Sequence, residues 1–410
     1  MSLPPSLPSA APVAPADRVA GLDGVRGFAL LGILLMNIEA FNGPLWLSGA
    51  GVDPRWEGMD RWLDTLIYVV VQGSFFPLFS LLFGIGFALM GQRLNARGVA
   101  FTPFHLRRMA LLAAIGLVHG VLVWSGDVLL NYALLGALLP AFDRLPQRWL
   151  GWMGSIGVAC SSGLVLLMAA LFGLMALSPE AATGMGPAVE AVRADVAAQV
   201  QAYGQGSYLQ AVMQRCSDML GNLQGLFISG GQILGLFLIG AALVNSGALQ
   251  QRSVHARLWA LLRWLAWPVG LLLSLLTLGI SPFNPPWQLE PASMLVQAIK
   301  VLAGSLIGLG WLAWGLQLQG LLAPLAAAGR MSLTTYLGQS LVCTWVFYGY
   351  GLGWFGQLSR SQEVLFAVCL YAGQVVFARL WLRRFQQGPV EWLWRMGTYG
   401  KVVPLRRVQG

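Results

Sequence analysis

Charge is what this sequence lacks. Only 10% of its 410 residues are Asp, Glu, Lys or Arg, where a soluble domain carries about 25%. Hydrophobic residues make up 57% of the chain, and the mean hydropathy is +0.66. A surface this poor in charge excludes a water-soluble globule and requires lipid as a covering. Cysteine is scarce too. Cys160, Cys216, Cys343 and Cys369 are scattered at spacings that give neither a metal-ligand set nor a disulfide framework. No P-loop occurs, so that phosphate cradle is excluded.

What is present is a series of apolar runs, rich in glycine (51) and tryptophan (17), as expected of spanning helices and their headgroup-level belts. The fold class that follows is an all-α polytopic transmembrane bundle. Residues 1–16 read as a disordered Pro/Ala/Ser leader, 17–385 as the bundle and 386–410 as an interfacial tail. Ten spans are expected, at about 25–42, 75–91, 104–124, 128–142, 149–177, 223–245, 257–280, 293–318, 332–350 and 362–382. The apolar stretch 60–90 is broken by Gln-Gly-Ser-Phe-Phe-Pro at 72–77, because thirty residues of helix, roughly 45 Å, exceed a hydrocarbon core of about 30 Å. Residues 178–222 are expected to be an outer loop with an amphipathic portion. No internal repeat of fixed period stands out, which gives no support to an inverted-repeat transporter.

Ten spans also orient the chain. Arg93, Arg97, Arg107, Arg108, Arg144, Arg148, Arg252, Arg257, Arg330, Arg383 and Arg384 fall on one side, against Arg55, Arg61, Arg193, Arg215 and Arg360 on the other. The positive-inside rule makes the richer side cytoplasmic, with both termini there. The net charge of +9 lies in short loops rather than in a stripe with interleaved aromatics, so lipid and not nucleic acid is the expected partner.

Polar residues inside apolar runs mark candidate chemistry, because ionisable groups at membrane depth are costly and usually functional. The hairpin Phe104–Phe142 holds most of them. His119 lies near the end of its first run, a Trp-Ser-Gly-Asp turn follows at 124–127, and Asn131 and Tyr132 open the second run. The second run, 128–142, is about 22 Å of helix, too short for a span, which sets the turn below the membrane surface. His119 suits a general base and Asp127 an orienting carboxylate. A structural histidine with an aspartate that only caps a helix is the alternative. Asn37 lies at the far end of the first span. Arg26, Arg330 and Lys401 are candidate phosphate contacts on the cytoplasmic side, although Arg26 could equally be an anchor paired with Asp23. The polar string 329–340 reads as packing contacts or a channel wall, and Lys300 as a snorkelling side chain.

The opening LDGVRGFALLGILLMNI, the hairpin HGVLVWSGDVLLNYALLG and the closing GRMSLTTYLGQSL, GPVEWLWR and TYGK resemble the YeiB family of bacterial inner-membrane proteins. That family looks like a branch of the transmembrane acyltransferase superfamily. The resemblance implies a multi-pass inner-membrane enzyme taking an acetyl or other short acyl group from acetyl-CoA or another acyl-CoA in the cytoplasm. The recipient would be a glycan or small acceptor on the far side, with His119 as the catalytic candidate and Asp127 beside it. A homodimer is expected by analogy alone. Two rivals stand: a proton-coupled transporter using His119, Asp127 and Glu39 as a relay, and a non-catalytic membrane scaffold.

Overall fold

A computed structural model of the chain describes residues 21–177 and 184–407; the expected leader lies outside them. Backbone in lipid has to satisfy its hydrogen bonds within the segment, and these apolar runs do so as helices. Two isolated bridges, Gly51 with Phe283 and Phe385 with Arg406, are the extended pairings among the described residues.

The helices are α1 (Leu22–Asn42), α2 (Gly58–Val70), α3 (Phe75–Ala96), α4 (Phe101–Leu122), α5 (Leu129–Gly136), α6 (Gln147–Ala176), α7 (Gly186–Gly204), α8 (Tyr208–Asn245), α9 (Ala256–Ile280), α10 (Pro291–Gln317), α11 (Ser332–Phe347), α12 (Arg360–Arg384) and α13 (Pro389–Tyr399). Eight segments are long and apolar enough to cross a membrane: α1, α2 with α3, α4, α6, α8, α9, α10 and α12. The other two expected spans are shorter. One is the apolar stretch Leu129–Phe142, eight α-helical residues and a 3-10 turn, and the other is α11 with sixteen residues. The chain is a polytopic all-α bundle.

Local chemistry sets several boundaries. The expected break in the 60–90 stretch falls at 71–74, where Gly73 takes φ 75°, a left-handed conformation that glycine adopts without a Cβ penalty. A π-turn at Leu262–Ala266 precedes Pro268 within α9, since proline removes a helical donor and clashes with the preceding turn. Of the expected outer loop, 178–183 lie outside the described residues and 184–222 are largely helical. Ser207 caps α8 by accepting from Gln210 N at 3.4 Å, while the Gln210 side chain accepts from Ser207 N at 2.7 Å. This Ser-x-x-Gln box starts α8 fifteen residues before the expected span. The 38-residue helix is roughly 57 Å long and overshoots a bilayer core. A Gly-x-Gly-x-x-Gly string at 351–356 follows helix α11 rather than a strand, so it lacks the context of a dinucleotide loop.

Two ends emerge. At one, Arg26 of α1 reaches Gly329 O at 3.4 Å, Trp394 of α13 donates to Arg108 O at 3.1 Å, and the Arg108 guanidinium lies 4.0 Å over the Trp394 ring. This basic end gathers both described termini. The opposite end holds the C-terminus of α4, the start of α8 and the start of α12.

Candidate functional site

Helix α4 stops at its own histidine. The His119 carbonyl accepts from Val123 N at 2.8 Å and Trp124 N at 2.9 Å, and the chain then turns through 123–128 into α5. Trp124 is buried against Phe41, with ring centroids 4.3 Å apart, which fixes the turn against α1. Gly116, one turn before His119, permits the close approach: a Cβ there would lie 2.5 Å from Leu130 N and 2.9 Å from Asp127 Oδ2.

Asp127 makes two contacts, one to the start of α5 and one to His119. Its Oδ2 accepts from Leu130 N at 2.9 Å, capping the first turn of α5. Its Oδ1 lies 2.8 Å from His119 Nδ1. Both side chains sit in residues only 3% exposed. The carboxylate selects the tautomer with the proton on Nδ1, because an ionised carboxylate can only accept. His119 Nε2 then carries a lone pair, and it is buried with no hydrogen-bond partner among the described residues. Tyr336 of α11 faces the imidazole at 5.4 Å between centroids. A buried polar atom left unmatched is costly, and such atoms are candidates for chemistry.

The long helix α8 and helix α7 brace this turn from outside. Asn222 Nδ2 donates to Ser125 O at 3.0 Å and to Asp127 O at 3.5 Å. Ser125 Oγ donates to Asp218 Oδ2 at 3.1 Å, and Tyr203 donates to the same oxygen. Gln199 and Gln214 supply the other Asp218 oxygen at 2.9 Å each. Burial, then the neighbouring Tyr348 and Asp218, push the Tyr203 hydroxyl well above the usual tyrosine range, so it remains a donor. Arg215 N–H and Tyr208 O–H both donate to Leu122 O, at 3.0 and 2.8 Å.

Other expected residues fall elsewhere. Tyr132 is buried, but its hydroxyl serves Ser80 at 2.7 Å and Phe76 O at 3.0 Å, tying α5 to α3. Asn131 and Asn37 are half-buried, with no bond to the pair among the described residues. Arg26 is paired with Asp23 at 2.9 Å, the anchor reading, and its bond to Gly329 O sets it beside Arg330. Arg330 donates to Gln386 O at 3.4 Å. Lys401 is exposed beyond α13. The cavity described in the bundle, about 210 Å³, is lined by Phe87, Gln92, Asn95, Asp143, Leu238 and Asn245 among others and does not include His119.

Three polar contacts went unread in the sequence. Arg360, expected only as an outer arginine, is buried between Asp64 at 2.9 Å, Glu363 at 2.6 Å and Glu39 at 3.9 Å. Glu39, at the edge of this cluster, also accepts from Gly49 N at 3.4 Å. Lys300 does not snorkel. Its ammonium donates to Tyr68 O at 2.8 Å and Ser274 Oγ at 2.9 Å and lies 4.0 Å over the Tyr68 ring, so polar atoms of two neighbouring helices hold it. Glu391 of α13 accepts from Leu333 N at 2.6 Å, Thr334 N at 3.0 Å and Thr334 Oγ1 at 2.5 Å. It occupies the N-terminus of α11, where an external anion would otherwise have docked.

Residues 243–401 match a family described as protein of unknown function DUF418. Three relatives align along nearly the whole chain. The Bacillus subtilis (strain 168) protein YxaH is 32% identical over 409 residues, 95% of this chain and 96% of the relative. The Escherichia coli (strain K12) protein YeiB is 32% identical over 401 residues, 93% and 96% respectively. An uncharacterised 39.9 kDa protein from the amylase 3′ region of Bacillus acidopullulyticus is 27% identical over 406 residues, 96% and 97%. With a third of its residues shared along almost its full length, the chain belongs to the YeiB family.

Proposed function

We propose that this multi-pass membrane protein is an acyltransferase of the bacterial inner membrane. It would carry an acetyl or other short acyl group from a cytoplasmic acyl-CoA to a glycan or small acceptor on the periplasmic side. The observation behind this reading is the His119–Asp127 pair at 2.8 Å, with Nε2 buried and unpartnered. A carboxylate on Nδ1 orients the ring and leaves the Nε2 lone pair facing outward, as required of a general base. In the transfer, the acceptor oxygen attacks the thioester carbonyl while its proton moves to His119 Nε2. The C–S bond then breaks, and the imidazolium returns the proton to the leaving thiolate. Asp127 Oδ1 keeps its bond to the Nδ1–H throughout.

The donor would enter at the basic end, oriented to the cytoplasm by the arginine asymmetry. Arg26, Arg330 and Lys401 are the proposed phosphate contacts; Arg108 and Arg395 lie within electrostatic reach of one another there. With Glu391 on the α11 terminus, these cations have to carry phosphate recognition. Since His119 is closed over in this structure, transfer requires the turn or its outer bracing to open.

The test is label transfer from radiolabelled acetyl-CoA by the purified protein in proteoliposomes. Wild type should bind acetyl-CoA and pass label to acceptor, and His119→Ala should bind it without passing label. Absence of acetyl-CoA binding by wild type would sink this reading and leave the scaffold or the transporter.

A further inference from the structure

Arg215 is 0% exposed and has no carboxylate within ion-pair distance among the described residues. One terminal nitrogen donates to Leu122 O at 3.0 Å and the other to the Tyr350 hydroxyl at 2.7 Å. Three tyrosine rings enclose the guanidinium, with Tyr208, Tyr348 and Tyr350 at 5.6, 5.6 and 5.5 Å from its carbon. The Nε–H is buried with no partner. Asp218, one turn along α8, does not meet it, because its two oxygens are taken by Tyr203, Ser125, Gln199 and Gln214.

A buried cation with an idle donor is expensive unless an anion completes it. The aromatic cage lowers that cost through cation–π attraction but accepts no hydrogen bond from Nε. The place is informative. Leu122 is three residues beyond His119 on α4, so the guanidinium sits about one helical turn outward of the proposed base. One wall of the cage is accessible: Tyr208 is 47% exposed and stands edge-on to Tyr350 at 5.2 Å.

We propose that Arg215 is the acceptor-recognition residue, and that the acceptor carries an oxyanion, a carboxylate or a phosphate, one turn from the hydroxyl to be acylated. Entering past Tyr208, the anion takes the Nε–H and a terminal N–H in the fork geometry that guanidinium offers. Its hydroxyl then reaches His119 Nε2. This rests on the acyltransfer reading for the hydroxyl but not for the anion, so the two can fail separately.

The experiment uses full-length protein in detergent micelles in chloride-free buffer, with thermal midpoints titrated against matched pairs of probes: glucuronate against glucose, and glycerol 1-phosphate against glycerol. Wild type and His119→Ala should both bind an anionic member about ten-fold tighter than its neutral twin. Arg215→Gln should bring that ratio to about one, and Arg215→Lys, which keeps charge but not the fork, should fall between. Whichever anionic probe binds identifies carboxylate or phosphate as the group. No preference in wild type, or an undiminished one in folded Arg215→Gln, overturns the proposal. In label transfer, Arg215→Gln should raise KM for the anionic acceptor far more than it lowers kcat, whereas His119→Ala should lower kcat by about 10²–10⁴-fold. Anion preference without any transfer by wild type would retain the site and refute the enzyme.

Discussion

The Arg360 cluster and the His119–Asp127 pair lie buried towards the same end of the molecule, and they are built on opposite terms. Around Arg360 every charge is matched: the guanidinium meets Asp64, Glu363 and Glu39, Asn42 donates to Glu363 at 2.6 Å, and Asp53 N donates to Asp64 at 2.9 Å, although Arg360 Nε pairs with Asp64 outside hydrogen-bond geometry and Asn42 Oδ1 has no partner among the described residues. These partners come from α1, α2 and α12, so the cluster rivets three helices. Around His119 the bonds are fewer and local, and one nitrogen is left idle. A saturated centre spends its charge on geometry. An unsaturated one keeps a lone pair for something that arrives later. The contrast separates scaffold from chemistry within one lipid-covered bundle.

The contrast breaks most visibly at Arg360. Arg360→Met strands three carboxylates in a buried site, and removing one partner of such a centre costs about 3–5 kcal/mol. The thermal midpoint in detergent should drop sharply or folded protein should be lost. A midpoint within a degree or two of wild type would show that the cluster is no rivet.

His119→Ala should do the reverse, lowering label transfer by about 10²–10⁴-fold, the usual worth of a general base, with a smaller loss of stability than Arg360→Met. Asp127→Asn keeps the shape of the side chain while losing the charge that orients the ring, and should fall in the same direction by less. If His119→Ala unfolds the protein as badly as Arg360→Met, the pair belongs to the scaffold after all.

The hairpin's half of this contrast could be read from sequence. His119 and Asp127 are eight residues apart across a turn whose Trp-Ser-Gly-Asp chemistry is local, so spacing alone brings them together. The same locality revealed the break near Gly73. The Arg360 centre could not be read this way: its contacts with Glu39 and Asp64 span some three hundred residues, and nothing in either stretch announces the other. Arg215 and Tyr350 are separated by 135 residues, and Arg215 falls in an expected loop because the Ser207 capping box starts the long helix fifteen residues ahead of its apolar run. Fold class depended on composition and was plain. Which polar groups meet depended on helix packing, which composition does not encode.

Glu391 probes a third arrangement, an internal carboxylate saturating a helix terminus. Glu391→Gln keeps size and one acceptor oxygen but weakens three charge-assisted bonds to Leu333 N, Thr334 N and Thr334 Oγ1. The loss should be about 1–2 kcal/mol, concentrated in the tail. Limited proteolysis should therefore cut the 385–407 segment faster, with the bundle intact. Unchanged cleavage would mean that Trp394 on Arg108 holds the tail alone.

Lys300 carries the smallest expected effect. Its ammonium has two acceptors and a ring but no carboxylate among the described residues, so it sits between the saturated and idle extremes. Lys300→Met loses two hydrogen bonds, yet it also removes the cost of holding a cation among apolar helices. The thioether can rest against the Tyr68 ring in the cation's place. These terms oppose, and the midpoint should move by no more than about 1 kcal/mol equivalent. A collapse comparable to that of Arg360→Met would show that a buried cation can act as a rivet without any carboxylate. Saturation by carboxylates would then no longer distinguish scaffold from site.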